Sequence, residues 1–168
     1  YYCMALNEET GKYETSDVWF TGCKWRCQQT GTHTEPRWNN TDWAMIEGNP
    51  AFSVDFEEAQ TLYDLDDFVA PLTIVATLYG QDITDDILDT DVAWTRYTEN
   101  SQGVQRVSSD IIWAEKRGNA GKSIVLTLDD LSLDSDGMPK KIRFTATVTL
   151  RDGMGNEADK QSVSYECQ

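Results

Sequence analysis

Strict alternation of apolar and polar side chains is what most narrows the folds open to this chain. In "KIRFTATVTL", residues 141 to 150, Ile142, Phe144, Ala146, Val148 and Leu150 fall on one face, with Lys141, Arg143, Thr145, Thr147 and Thr149 on the other. Successive strand side chains point to opposite faces, so the segment reads as an antiparallel strand with one buried and one wet face. "PLTIVATL" repeats the pattern with Leu72, Ile74, Ala76 and Leu78, and "SIVLTL" with Ile124, Leu126 and Leu128. "DVAWTRYT" puts Val92 and Trp94 on one face, "SVSYE" adds Val163 and Tyr165, and "FSVDF" starts the series with Phe52, Val54 and Phe56. Helical periodicity is almost absent. "SSDIIWAEKR", residues 108 to 117, reads as a short strand carrying Ile112 or Trp113 inward.

Turn-forming residues separate these segments: "YGQD" at 79 to 82, "SQG" at 101 to 103, "GNAG" at 118 to 121, "DSDGMP" at 134 to 139 and "RDGMGN" at 151 to 156. Short strands at this spacing predict a β-sandwich over residues 51–168. A tryptophan on the third strand and a long alternating strand near the end fit an immunoglobulin-like order, with B at 72–79, C at 92–97, E at 123–128, F at 141–150 and G at 160–166. Ala76 and Ala146 stand where a B-to-F cysteine pair would sit, so the core is expected to form by packing around Trp94 and Phe144. Residues 1–50 read as a smaller unit with three short extended pieces, "YYCMAL", "DVWF" and "KWRCQQ", closed by "DWAMIEGNP". Pro50 pushes the residue before it into an extended conformation, which marks a boundary there. The expected fold class is all-β: a small three-stranded Trp-rich module followed by an immunoglobulin-like β-sandwich.

Fourteen Lys and Arg face twenty-nine Asp and Glu, a formal charge of −15. Such a field repels phosphate backbones and anionic headgroups, so neither nucleic acid nor membrane is an expected partner. No apolar run approaches the ~18 residues of a membrane span. The acidic clusters read as solvated turns. The sequence starts at Tyr1 with no basic or apolar leader, which suggests a fragment or a processed product and leaves secretion open. The four cysteines are too few and scattered for a disulfide scaffold. On one strand, Cys23 and Cys27 would sit roughly 13 Å apart, beyond the ~7 Å reach of a bridge, although Cys3 could pair with either across a ladder.

The motifs that suggest chemistry are incomplete. "GNAGKS" ends like a phosphate loop, but Lys116 stands where the first glycine belongs and a strand follows instead of a helix, so a hairpin connection is expected. "DLSLDSDGMP" offers Ser132, Asp134 and Asp136 with Gly137 in a calcium-loop register, yet the twelfth position is Arg143 where a glutamate is needed. His33 is the sole histidine, and Cys3, Cys23, Cys27 and His33 lack a recognised zinc spacing. No pair of carboxylates is singled out for glycoside hydrolysis. No enzyme activity, cofactor or metal is predicted.

Trp19, Trp25, Trp38 and Trp43 are four of the six tryptophans, within a unit too small to bury much else. Trp25 and Trp43 are assigned to its core. Alternation leaves open whether Trp19 and Trp25 share a face. An indole left exposed there would stack on a sugar or another protein, with Trp38, Trp19 and Tyr13 as the candidate contacts.

"DVWFTGCKWRCQQTGTHTEPRWNNTDWAMIEG" resembles the short module of chitin-binding domains and many bacteriophage tail proteins, through Gly22, Trp25, Cys27, His33, Thr34, Pro36 and Trp43. "LYGQDIT", "DVAWTRYTENSQG", "IIWAEKRGNAGKSIVLTLDDL" and "IRFTATVTLRDG" are similar to immunoglobulin-like domains of tail-tip or fibre-type proteins from phages and prophages of gut Bacteroides-type bacteria. Those domains commonly carry a cysteine on strand F, where this chain has Ala146. In the chitin-binding relatives surface aromatics touch polysaccharide; Trp38 and Trp19 would correspond, although "NN" at 39 and 40 departs from the usual spacing. The resemblance implies a non-enzymatic structural protein of the virion tail, assembled in the host cytoplasm and acting in assembly or host-surface contact. Its implied partners are other tail proteins, neighbouring domains of a longer chain, or a host-surface glycan. A carbohydrate-binding module is the alternative, and a bacterial surface adhesin, at the cell surface or secreted, the third.

Overall fold

The computed structural model describes residues 4–7, 9–15, 17–20, 22–29, 31–37, 40–48, 51–57, 68–78 and 80–167. The expected boundary at residues 49 and 50 lies outside them. The chain is mostly β, arranged in several antiparallel sheets. The N-terminal part contains a hairpin of β1 (Met4–Asn7) and β2 (Lys12–Thr15). Next comes a three-stranded sheet of β3 (Asp17–Phe20), β4 (Cys23–Cys27) and β5 (Trp43–Glu47). The three strands of this sheet are therefore not the three extended pieces expected. "YYCMAL" contributes to the separate hairpin, and "DWAMIEG" supplies the third strand.

Beyond residue 51 come β6 (Phe52–Phe56), β7 (Val69–Leu78), β8 (Gln81–Asp82), β9 (Val92–Asn100), β10 (Gly103–Gln105), helix α1 (Ser108–Arg117), β11 (Ser123–Thr127), β12 (Ile142–Arg151) and β13 (Glu157–Cys167). One sheet has the order β11-β7-β6, with β8 also paired to β7; the other runs β10-β9-β12-β13. Ile142, Phe144, Ala146, Val148 and Leu150 are all buried, as are Leu72, Ile74, Ala76 and Leu78. Each large aliphatic removed from water in this way contributes about 1.5–3 kcal/mol. Trp94 is paired with Ala146, whose small side chain leaves room for the indole. Its ring stacks on Phe56 of the other sheet at 5.9 Å, and its Nε1–H donates to the Gly121 carbonyl at 2.7 Å.

Pro71 stands inside β7 at no cost to the ladder formed by the described residues. Ile74 N–H reaches Lys122 O on the β11 side, whereas Thr73 O accepts from Glu57 on the β6 side, so odd-numbered residues turn toward β6. The missing N–H of Pro71 therefore points past Phe56↔Ile74, the last pair of the β6 ladder.

The segment read as a strand at 108–117 is helix α1. Asp110 at its third position accepts the N–H of Val107, the residue just ahead of the helix, at 2.9 Å, which fills half of a capping box. The run Ala114, Glu115, Lys116 and Arg117 has good helix propensity, with the cations in the last turn where the dipole favours them. Asp110 and Trp113, three residues apart, face inward, while Ile111 and Ile112 are exposed. "GNAG" thus joins a helix to β11 and is not the hairpin connection expected.

Gly118 lets the end of α1 sit against β9. Its carbonyl accepts Trp94 N–H at 2.9 Å, and a Cβ there would lie 2.3 Å from Ala114 O and 3.0 Å from Trp94 O. Gly118→Ala is expected to destabilise the protein by about 1–3 kcal/mol through overpacking, read as a lower urea midpoint at unchanged m-value. No helix among the described residues is long and apolar enough to cross a membrane.

Candidate functional site

Three places bring unusual side chains together. The first is the outer face of the β3-β4-β5 sheet. Val18 is paired with Trp25 and Trp19 with Lys24, so Trp19 and Trp25 lie on opposite faces. Cys23, Trp25, Cys27 and Trp43 are buried on the inner face, where Trp25 Nε1 donates to Phe20 O at 3.1 Å and Trp43 Nε1 to Thr34 O at 2.9 Å. Trp19 is 61% exposed. Around it stand the Lys24–Glu47 pair at 3.9 Å and a two-pronged Arg26–Asp17 pair at 3.0 and 3.1 Å. The Arg26 guanidinium holds the Asp17 carboxyl below its ordinary range. Trp38 lies outside the described residues, and Tyr13 is described only by its place in β2, opposite Leu6.

The loop between β4 and β5 is organised by Asp42, whose Oδ2 accepts the hydroxyls of Thr32 and Thr34. These bonds lower the Asp42 pKa. His33, between the two threonines, is exposed. Cys27 is disulfide-bonded, whereas Cys23 and Cys167 are free and buried. A sulfur held in a disulfide is no thiolate ligand, so Cys27 is unavailable to the zinc set weighed from the sequence. Among the described residues no group of three His, Cys, Asp or Glu side chains could hold a metal ion.

The second place is a groove of about 630 Å³ between the inner tryptophans and the β12–β13 turn, with Trp25, Trp43 and Met45 on one wall and Met154 and Ala158 on the other. Asp152 Oδ1 accepts the backbone N–H groups of Met154 and Asn156, both at 2.9 Å, which fixes the turn and lowers the Asp152 pKa. Met154 at its tip is 89% exposed.

The third is a recess of about 440 Å³ beside α1. Beneath it, the completely buried Asp110 accepts from Arg96 Nε at 2.6 Å, Thr98 Oγ1 at 2.7 Å, Thr98 N at 3.1 Å and Val107 N at 2.9 Å. Asp130, also buried, accepts from Trp113 Nε1 at 2.7 Å, Thr127 N at 2.9 Å and Arg117 Nη2 at 3.1 Å, while its backbone carbonyl takes Arg96 Nη1 at 2.9 Å. Arg96 lies 5.9 Å from the centroid of the Trp113 ring, in cation–π range. Arg117 also donates to Val125 O at 2.5 Å, so α1 and Asp130 together satisfy the outward edge of β11. Sequence reasoning missed this network. Arg96 carried the signal, because it follows Val92 and Trp94 on the inward face of β9, and an arginine there requires a buried carboxylate.

The remaining motifs serve as connections. Lys122 of "GNAGKS" donates its Nζ to Thr84 O at 3.2 Å and its backbone N–H to Asp89 at 3.1 Å. Asp134 Oδ1 accepts the N–H groups of Asp136 and Met138, closing a turn. Comparison with protein-family models, curated proteins and solved structures gave no significant match to the chain.

Proposed function

We propose that this chain is a non-enzymatic contact module, an immunoglobulin-like sandwich preceded by a Trp-rich, chitin-binding-like unit, from a tail-tip or fibre-type protein of a phage or prophage. The exposed face around Trp19 carries the reading. An indole left in water on a sheet whose opposite face is filled does little for stability, and its flat apolar surface ringed by ion pairs suits contact with another molecule. The sandwich reading draws on strand order: β6, β7 and β11 correspond to A, B and E, and β9, β12 and β13 to C, F and G. The carboxylates of Asp110 and Asp130 are fully engaged in hydrogen bonds, which favours a structural role over proton transfer. A glycan-binding module is the second reading, favoured by the polar groups flanking Trp19.

Antibodies against the chain are expected to label the tails of purified virions. Trp19→Ala is expected to leave stability within about 0.5 kcal/mol while weakening attachment to host cells about tenfold. Unlabelled tails would sink the assembly reading. Saturable binding of the chain to purified host polysaccharide, lost in Trp19→Ala, would favour the second.

A further inference from the structure

The recess beside α1 presents an arginine prepared for a ligand. Arg96 is only 5% exposed and lines the recess. Of its five N–H donors, one on Nε and one on Nη1 are engaged, by Asp110 and the Asp130 carbonyl, and no described residue bonds Nη2. Those two bonds and the Trp113 ring fix the guanidinium plane, so a ligand meeting it need not order the side chain.

The charges around the recess are unevenly used. Asp110 neutralises Arg96 and Asp130 neutralises Arg117. The side chains of Lys116 and Asp129, both exposed on the rim, have no hydrogen bond or ion pair among the described residues. The open part thus offers one uncompensated cation, Lys116, the unengaged Nη2 donors of the neutralised Arg96, and one separate carboxylate. The hydroxyls of Ser109 and Thr127 and the apolar side chain of Ile112 complete the wall. On a chain of formal charge −15, the surrounding field opposes a polyanion far more than a single negative charge, which the local Lys116 and Arg96 donors can offset.

We infer that this recess binds an acidic sugar unit of the uronic-acid type. Its carboxylate pairs with Arg96 and Lys116, its hydroxyls bond Asp129, Ser109 and Thr127, and an apolar ring edge rests on Ile112. The volume of about 440 Å³ accommodates one such ring with water. An acidic peptide side chain would satisfy the cations but leave Asp129 and the hydroxyls unused. This site is separate from the Trp19 face and does not depend on the tail reading.

The test is titration of the isotope-labelled full chain with glucuronate, followed by amide NMR, with glucose, acetate and a glutamate-rich peptide as controls. Glucuronate is expected to give saturable shifts at residues 109–117 and 127–130, with glucose and acetate binding at least about tenfold more weakly. Lys116→Gln, an exposed change that preserves the fold, is expected to weaken glucuronate about tenfold, the loss of one charge-assisted bond. No saturable shift in that region, equal binding of acetate or of glucose, preference for the peptide, or unchanged affinity in Lys116→Gln would each overturn the assignment. Failure here leaves the outcome at Trp19 untouched, because that face is read by virion labelling and cell attachment.

Discussion

Asp110→Ala is expected to lower stability by about 3–5 kcal/mol, the largest loss from any single polar substitution among the described residues. Asp110 is completely buried and accepts four hydrogen bonds. Removing it strands the buried Arg96 guanidinium, the Thr98 hydroxyl and N–H, and the first turn of α1. Desolvating an unpaired cation costs several kcal/mol, and total stability for a domain of this size is about 5–15 kcal/mol. Urea denaturation followed by Trp fluorescence measures the loss. Replacing both partners with apolar residues, as in Arg96→Met with Asp110→Leu, is expected to recover most of it, since no buried charge remains unpaired. A loss below about 1 kcal/mol in the single variant would mean that water reaches the pair.

Trp94→Ala is expected to cost about 3–5 kcal/mol. The indole fills the space beside Ala146, stacks on Phe56 across the two sheets and satisfies the Gly121 carbonyl. Truncation therefore leaves a cavity and a buried acceptor without its donor. Trp94→Phe separates the two contributions. It keeps a ring against Phe56 but loses the Nε1–H donor, for an expected loss of about 1–3 kcal/mol. Calorimetric melting of both variants checks the order. If alanine and phenylalanine cost the same, the hydrogen bond and not the packing carries the site.

The strands beyond residue 51 were readable because alternation is a property of the pleat itself. Leu72, Ile74, Ala76 and Leu78 alternate with neighbours that are polar or less buried, whatever they pack against, and they are buried in β7. The same habit of reading made α1 illegible. "DIIWAE" holds four consecutive apolar residues, of which only Trp113 is fully buried, and the inward partner three residues earlier is the charged Asp110. A helix that buries a carboxylate shows no apolar stripe. Near the N-terminus, the tryptophan count pointed to buried indoles, but which of them stay in water depended on which residue of β3 lies opposite Trp25.

Local chemistry in the chain thus determined that it forms short strands, where most of its turns fall, and that its acidic surface disfavours polyanions, because each of these follows from neighbouring residues or from composition. Only the tertiary structure decided that Arg96 meets Asp110 and the Asp130 carbonyl, that α1 caps the outer edge of β11, and that Trp19 faces water while Trp25 does not. A buried charge must find its counter-charge wherever the chain brings one. Arg96 finds its partners 14 and 34 residues away, a pairing that sheet order and helix placement create and that no nearby residue announces.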